Sequence, residues 1–488
     1  MEHLDRESLL NRLQQLTDVG IALSAEKDFP TLLEKILLGA KKLTQSDGGT
    51  IYTMTDNECL HFEILHSTSL DLHFGGTSEI QAEFPPLPLY LEDGSFNNEM
   101  VSAACALQEK TIVIEDVYQV KDYDFSGTRD FDEKMGYRSK SFMTVPMKNF
   151  DGKVIGVLQL INAKRGQFSD GDIAFVESLA SQAAIALSQQ HLIQDLGLMF
   201  ESFVQSLAEA IDKMSRHTGD HCRRVPELSM LLAKSVNKTE QGPLAEFSFS
   251  EDELQELYFA AWMHDCGKIT IPSHIVDKKT RLEGIVDRIK IIHLRYEILM
   301  KELGDTEKAK LQEELDFIHQ CNSKDCITLE DKSRLKEIQK RTWKNAKGDI
   351  DYVISDDELQ NLLITRGTIN EKERDIIRDH VIASEEILKK IRYPKNLQNI
   401  PSIASSHHER MDGSGYPRGL KGTDIPIGGR ILCLVDVFEA LTSPERPYKR
   451  QFTIEQALGI MEQERTSFDP ALFELFKQLV KEKGSSLL

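Results

Sequence analysis

No apolar run in this 488-residue sequence approaches the ~20 residues that a membrane-spanning helix needs, so no span is expected. No CxxC pair occurs either. The seven cysteines, at 59, 105, 222, 266, 321, 326 and 433, are scattered and odd in number. A disulfide framework is therefore not expected, and a reducing compartment fits. Cys321 and Cys326 lie near His319, but at a spacing foreign to the usual zinc patterns. Positive charge is in short supply: 59 Lys and Arg face 79 Asp and Glu, a net charge of −20. That argues against a nucleic-acid polymer as partner, which needs a basic face, while a local pocket can still take a small anion. Internal repeats and low-complexity tracts are missing as well. The opening MEHLDRESLLNRL is charged and amphipathic rather than signal-like, so a cytoplasmic protein is expected.

What is present divides the chain by periodicity. At ~150 residues per domain the length suggests two or three domains. Leu9, Leu10, Leu13, Leu16 and Val19 fall at helical spacing, and PTLLEKILLGAKKLTQS continues the pattern. The period then switches to alternation in GGTIYTMTDNECLHFEILHS, with a turn signal at Asp56-Asn57. TIVIEDV and SFMTVPMKNFDGKVIGVLQLIN add three strand-like runs, the last two joined at Asp151-Gly152. Helices beside an antiparallel sheet give an α+β domain, expected over 1–170. From about Asp170 to Ala233 the pattern is helical, and 171–200 reads as a signalling helix that pairs two subunits, with Gly197 its weak point. The remainder, 201–488, reads as all-α. Within it, 278–366 is charge-rich and reads as an inserted, mostly solvent-facing helical hairpin.

Seven side chains suited to metals recur in order. They are His221, the His264-Asp265 doublet, His380, the His407-His408 doublet and Asp436. Each stands in a helical-looking stretch. His and carboxylate ligands suit first-row metals such as Fe, Mn and Zn. Neighbours on a helix point about 100° apart, so a doublet can serve two ions. Two metals ~3.5–4 Å apart can clamp the attacking and leaving oxygens of a phosphodiester. One histidine at such spacing is ordinarily a core or surface residue. Asp436, however, is flanked by Leu432, Leu434, Val435, Val437 and Phe438, and a buried carboxylate needs a partner.

HDCGKITIP, HHERMDGSGYPRGLKG and RILCLVDVFEALTSPERPYKR together resemble the signature of the HD-GYP family, a branch of the HD phosphohydrolases. The resemblance covers 200–275 and 367–475. It implies a phosphodiesterase that hydrolyses cyclic di-GMP to the linear dinucleotide and on to GMP, using two or three divalent ions, iron or manganese. It implies ligand roles for His221, His264, Asp265, His380, His407, His408 and Asp436, with Asp265 bridging and Lys268 facing the scissile phosphate. Arg446 and Lys449 resemble the basic pair that holds substrate phosphates. Gly415, Tyr416 and Pro417 would shape the loop over the site, supported by Asp412 and Arg418. Where trinuclear members carry a Glu ligand, four residues before His221, this chain has His217. The gap from Asp265 to His380 is longer than the family's because of the insertion. Hydrolysis of 3′,3′-cyclic GMP-AMP, or a non-catalytic cyclic di-GMP receptor, are the alternatives.

The first half resembles a GAF domain, in particular those of cyclic-nucleotide phosphodiesterases, through IEDVYQVKDYDFSGTRDFDEKMGYRSKSFMTVPMKNFDGKVIGVLQLINAKRGQF. Asn162, Lys164, Phe168 and Asp172 echo that family's nucleotide-binding set, although Ala163 splits Asn from Lys and Ile173 replaces the Glu. The resemblance implies a cyclic-nucleotide ligand in this domain, and the long connecting helix points to a homodimer.

Overall fold

The computed structural model describes residues 6–80, 84–214, 221–301, 303–345, 347–443 and 452–484. They fall into two compact units, 1–199 and 200–488. Among the described residues no helix is long and apolar enough to cross a membrane.

In the first unit seven strands form one antiparallel sheet: β1 (Ser46–Met54), β2 (Cys59–Ser67), β3 (Leu72–Gly75), β4 (Leu87–Pro88), β5 (Ile112–Ile114), β6 (Phe142–Lys148) and β7 (Val154–Ala163). The order is β3-β2-β1-β7-β6-β5, with β4 pairing β2. The turns lie where the turn residues are. Gly152, with φ +79°, joins β6 to β7, and Glu58, with φ +54°, closes the β1–β2 connection after Asp56-Asn57. One face of the sheet carries the helix Phe29–Thr44. Asp28 caps it by accepting the Thr31 N–H at 3.0 Å, Pro30 sits in its first turn, and Gln45 ends it in the left-handed region. Its Leu33, Ile36, Leu37 and Ala40 are buried in one core with Leu158, Leu160, Val176 and Leu179. This is the expected α+β domain.

The helix Asp170–Met214 runs to 45 residues, past the expected 171–200. The next described helix begins at His221, and residues 215–220 lie outside the described residues. His217 lies outside the described residues.

The second unit packs helices His221–Val236, Glu251–Met263, Ile400–Ala404, Ile427–Thr442, Ile454–Gln463 and Pro470–Lys483 around one core that includes Leu232, Leu257, Ile431, Phe438 and Phe473. The inserted segment is more than a solvent-facing hairpin. Helices Arg288–Met300, Asp305–Ser323, Leu329–Gln339 and Asp356–Leu362 and a strand pair, Thr342–Lys344 with Ile350–Tyr352, enclose a core of their own. The charge-rich surface hid that core: Ile292, Tyr296, Ile318 and Leu335 are fully enclosed. Arg281 ties the ends of the insertion together. Its buried guanidinium donates to Cys321 O at 2.9 Å and Ile364 O at 3.1 Å. Lys278 pairs with Glu373 at 2.7 Å just outside.

Candidate metal centre

The core helices end or begin at the ligands. The helix Glu251–Met263 is started by a Ser250/Glu253 capping box and stops at His264, so His264 and Asp265 emerge at its C-terminal end. A 3₁₀ turn, Cys266–Thr270, then brings Lys268 back beside Asp265. His380 opens the helix His380–Leu388. His407 and His408 stand on a turn after Ile400–Ala404, not within a helix as their surroundings suggested. Asp436 sits inside Ile427–Thr442. Gly267 allows the first two pieces to touch: a Cβ there would lie 2.0 Å from His380 O. Ser384 locks the same contact, accepting the Gly267 N–H at 2.8 Å and donating to His264 O at 2.9 Å.

Asp265 is the centre of the cluster. Its Oδ2 lies 3.2 Å from His264 Nε2 and 3.5 Å from His221 Nε2. Its Oδ1 lies 3.3 Å from His380 Nε2 and 3.9 Å from His407 Nε2. Asp436 Oδ1 approaches His221 Nε2 at 3.4 Å and His264 Nε2 at 3.9 Å. Two ends result: the ligand atoms of His221, His264 and Asp436 lie within 4.8 Å of one another, and so do those of His380, His407 and His408, while a third set, His264, Asp265 and His407, spans them. One carboxylate reaches toward both.

The donor set fits divalent metal ions on one observation. The Nε2 atoms of His221, His264, His380 and His407 are buried without a hydrogen-bond partner. An orphaned buried polar atom is costly, and four aimed at two carboxylates call for a cation. Their Nδ1 atoms are all engaged. His264, His380 and His407 hold the carbonyls of Ala261, Ile377 and Ala404 at 2.7, 2.5 and 2.6 Å. His221 holds Glu439 Oε2 at 2.5 Å. Ring nitrogens tied this way present the other nitrogen's lone pair inward.

The electrostatics agree. Burial, reinforced by the neighbouring histidines, pushes His407 well down and His408 down to about 4, so both stay neutral and open to a cation. Burial disfavours a charged Asp265, but Lys268 and the adjoining histidines outweigh it and hold the carboxyl well below its usual range. Burial opposes charge on His221 too, yet Asp265 and Glu439 raise it to about 10. A metal held there would take the place of that proton. Lys268 Nζ rests 2.5 Å from Asp265 Oδ2, and that carboxylate raises its pKa against the effect of burial.

The loop over the site is built by backbone contacts. Gly415 fits closely, since a Cβ there would lie 2.4 Å from Arg410 N and 2.5 Å from His408 O. That places the Tyr416 ring 4.8 Å from His408, with Pro417 following. Asp412 accepts from Ser414 at 2.8 and 2.6 Å, forming the turn itself. Arg418 is spent on Glu385 and Ser405. Arg446 and Lys449 lie outside the described residues.

Sequence reasoning missed the residues that hold the ligands. Glu409, buried beside His408, accepts the N–H of Arg418 at 2.7 Å and of Leu420 at 2.9 Å and so shapes the loop. Glu439 and its partner Arg224 were missed too. The signal for Glu439 was available: a carboxylate one helical turn beyond Asp436 in an apolar stretch.

In the first unit the four residues expected to bind a nucleotide do not meet at a cavity. Asn162, at φ +56°, accepts from Lys140 N and donates to Tyr137 Oη at 2.8 Å. Phe168 is core. Asp172 is buried on Arg12 and Ser169. Lys164 is exposed. The other three are engaged elsewhere: Asn162 ties β7 to Tyr137 and Lys140, Phe168 packs in the core, and Asp172 joins Arg12 to Ser169. One cavity, about 740 Å³, lies between Tyr52, Phe62, Leu87, Phe125 and Gln159 and is also lined by Tyr137, while Asp172 lines a separate one of about 660 Å³.

Known proteins match these two units. The GAF domain model matches residues 28–187. HD domain models match 218–324 and 354–472. The chain carries a GAF domain and an HD domain. Over 113 residues the chain is 40% identical to a protein of Vibrio cholerae named 3′3′-cGAMP-specific phosphodiesterase 3, covering 23% of this chain and 24% of that protein. Over 122 residues it is 39% identical to a Thermotoga maritima protein named cyclic di-GMP phosphodiesterase, covering 25% and 33%. The match thus spans a third or less of either relative's length. Among solved structures, the GAF domain of a phosphoenolpyruvate-protein phosphotransferase from Coxiella burnetii aligns with TM-score 0.31 and 14% identity, over 38% of this chain and 98% of that one. HD domains are metal-dependent phosphohydrolases, which agrees with the orphaned ring nitrogens.

Proposed function

We propose that the HD domain is of the HD-GYP kind and hydrolyses cyclic di-GMP, one phosphodiester bond giving the linear dinucleotide and the second, where it is also cut, giving GMP. The observation that carries this is the convergence of seven ligands in two groups about Asp265. His221, His264 and Asp436 would hold one ion, and His380, His407 and His408 a second, with Asp265 shared. The ions would be iron or manganese, since imidazole and carboxylate ligands suit them. When bound, they supply Lewis acidity at the phosphoryl oxygens and lower the pKa of water. Lys268 supplies a fixed positive charge beside Asp265 for the charge that develops on phosphorus. Tyr416 and the loop held by Glu409 cover the site and exclude solvent. Arg446 and Lys449 are proposed to take the substrate's phosphates, and His217 is the proposed ligand for any third ion.

A second substrate, 3′,3′-cyclic GMP-AMP, is supported by the Vibrio relative's name, at 40% identity against 39% for the Thermotoga relative. A silent receptor is disfavoured by the complete ligand set. The GAF domain is proposed to bind a cyclic nucleotide and to pair with a second copy of the chain. Pairing is supported by Ile185, Leu192, Leu196 and Met199, which leave an exposed stripe at three-, four- and seven-residue spacing. The deciding assay loads the full chain anaerobically with Fe(II) or Mn(II) and offers each cyclic dinucleotide. A His264→Ala/Asp265→Ala variant serves as control. Linear dinucleotide or GMP from the intact protein alone supports hydrolysis and ranks the substrates. Binding without cleavage by the metal-loaded protein would replace the enzyme with the receptor.

A further inference from the structure

The ligand histidines differ in what holds their Nδ1. For His264, His380 and His407 it is a carbonyl three residues earlier in the same segment. His221 instead uses Glu439, 218 positions later, on the helix Ile427–Thr442. Glu439 is only 1% exposed. Its second oxygen lies 3.3 Å from Arg224 Nη1, which offsets the cost of burying the carboxylate. Asp436, three residues before it on the same helix, approaches His221 from the Nε2 side. One helix therefore holds one nitrogen of this ring and places a carboxylate near the other.

From this asymmetry we infer that Glu439 is a positioning residue that makes the two ends of the centre unequal. A carboxylate taking the Nδ1–H fixes the ring's tautomer and orientation and raises the basicity of Nε2 more than a neutral carbonyl does. The ion held by His221, His264 and Asp436 depends on Glu439. The ion held by His380, His407 and His408 does not, because the His380 and His407 rings are set by backbone carbonyls and His408 packs against Tyr416 rather than Glu439. Arg224 acts on the fold through Glu439 and touches no ligand in this arrangement. The inference rests on the metal centre proposed above, not on the identity of the substrate.

The test is calorimetric titration of the metal-free full chain with Mn(II), with metal analysis after gel filtration. Glu439→Gln should weaken one of two binding events by about 10- to 100-fold and leave the other unchanged. Arg224→Met leaves the carboxylate on His221, so it should keep both events while melting earlier in the metal-free state. If Glu439→Gln does not fold, Glu439→Asp takes its place: it keeps the charge but falls short of His221, and the same selective weakening is expected. Unchanged binding in the Glu439 variant, equal weakening of both events, or a loss in Arg224→Met as large as in Glu439→Gln would overturn the inference. Failure to cleave any cyclic dinucleotide leaves this result standing. A chain that binds no metal overturns both.

Discussion

Single atoms decide most at the centre. Gly267 lies where the His264-Asp265 turn crosses the start of the His380 helix. A methyl group there would meet His380 O at 2.0 Å and Ser384 N at 2.5 Å, both backbone. Backbone cannot swing aside as a long side chain can. Gly267→Ala is therefore expected to cost at least about 1–3 kcal/mol of HD-domain stability by overpacking. It should also push His380 away from Asp265. Denaturant unfolding measures the first effect and metal content the second. A variant as stable and as metal-rich as the wild type would show that this crossing is not tight. Reading the sequence singled out the seven side chains that the structure gathers because they come as doublets and apolar-flanked singles. It could not find Ser384, which acts through backbone groups more than 100 positions away, or Glu409, which holds backbone N–H groups of the loop that follows it.

Among the elements, the helix Asp170–Met214 carries a plain expectation. Its first turns bury Phe175, Val176, Leu179 and Ala183 in or near the GAF core. Further along, Leu192 and Leu196 are 51% and 58% exposed. Apolar side chains at this spacing fit a second helix of the same kind. Leu192→Glu/Leu196→Glu should convert a dimer to a monomer in sedimentation analysis while leaving the GAF sheet's circular dichroism intact. A wild-type chain that sediments as a monomer would remove the proposed pairing. Strand and helix types were legible here because alternation and 3.6-residue periodicity are local. The insertion was less legible. Its core residues are few per turn and lie among many charges, so the segment looked solvated until Leu311, Leu315, Ile318 and Tyr296 were seen packed together.

For the molecule as a whole, the two units have separate hydrophobic cores and separate ligands to test. Metal bound to the folded state stabilises it by mass action, about 2.7 kcal/mol when free metal stands at 100 times Kd. Scanning calorimetry of the full chain with chelator should therefore lower the transition of the HD core and leave that of the GAF domain in place. Saturating cyclic nucleotide should raise only the GAF transition. A GAF transition that ignores both cyclic AMP and cyclic GMP would remove the proposed ligand. The nucleotide-binding set failed as a guide to the cavity because Asn162, Phe168 and Asp172 echo a pattern in type but are used here for closure: Asn162 on Tyr137, Phe168 in the core, Asp172 on Arg12.

The sequence by itself determined the domain order, the antiparallel sheet with its helices, and which side chains could ligate metal. Each of these follows from local period, local turn residues or the chemistry of a residue type. Only the tertiary structure decided how those ligands divide. Asp265 serves two groups because the 3₁₀ turn and Gly267 bring His380 against it. His221 is held by Glu439 because a helix from 218 positions away is packed across it. Contacts at such separations are set by how apolar faces pack, and no local pattern encodes them.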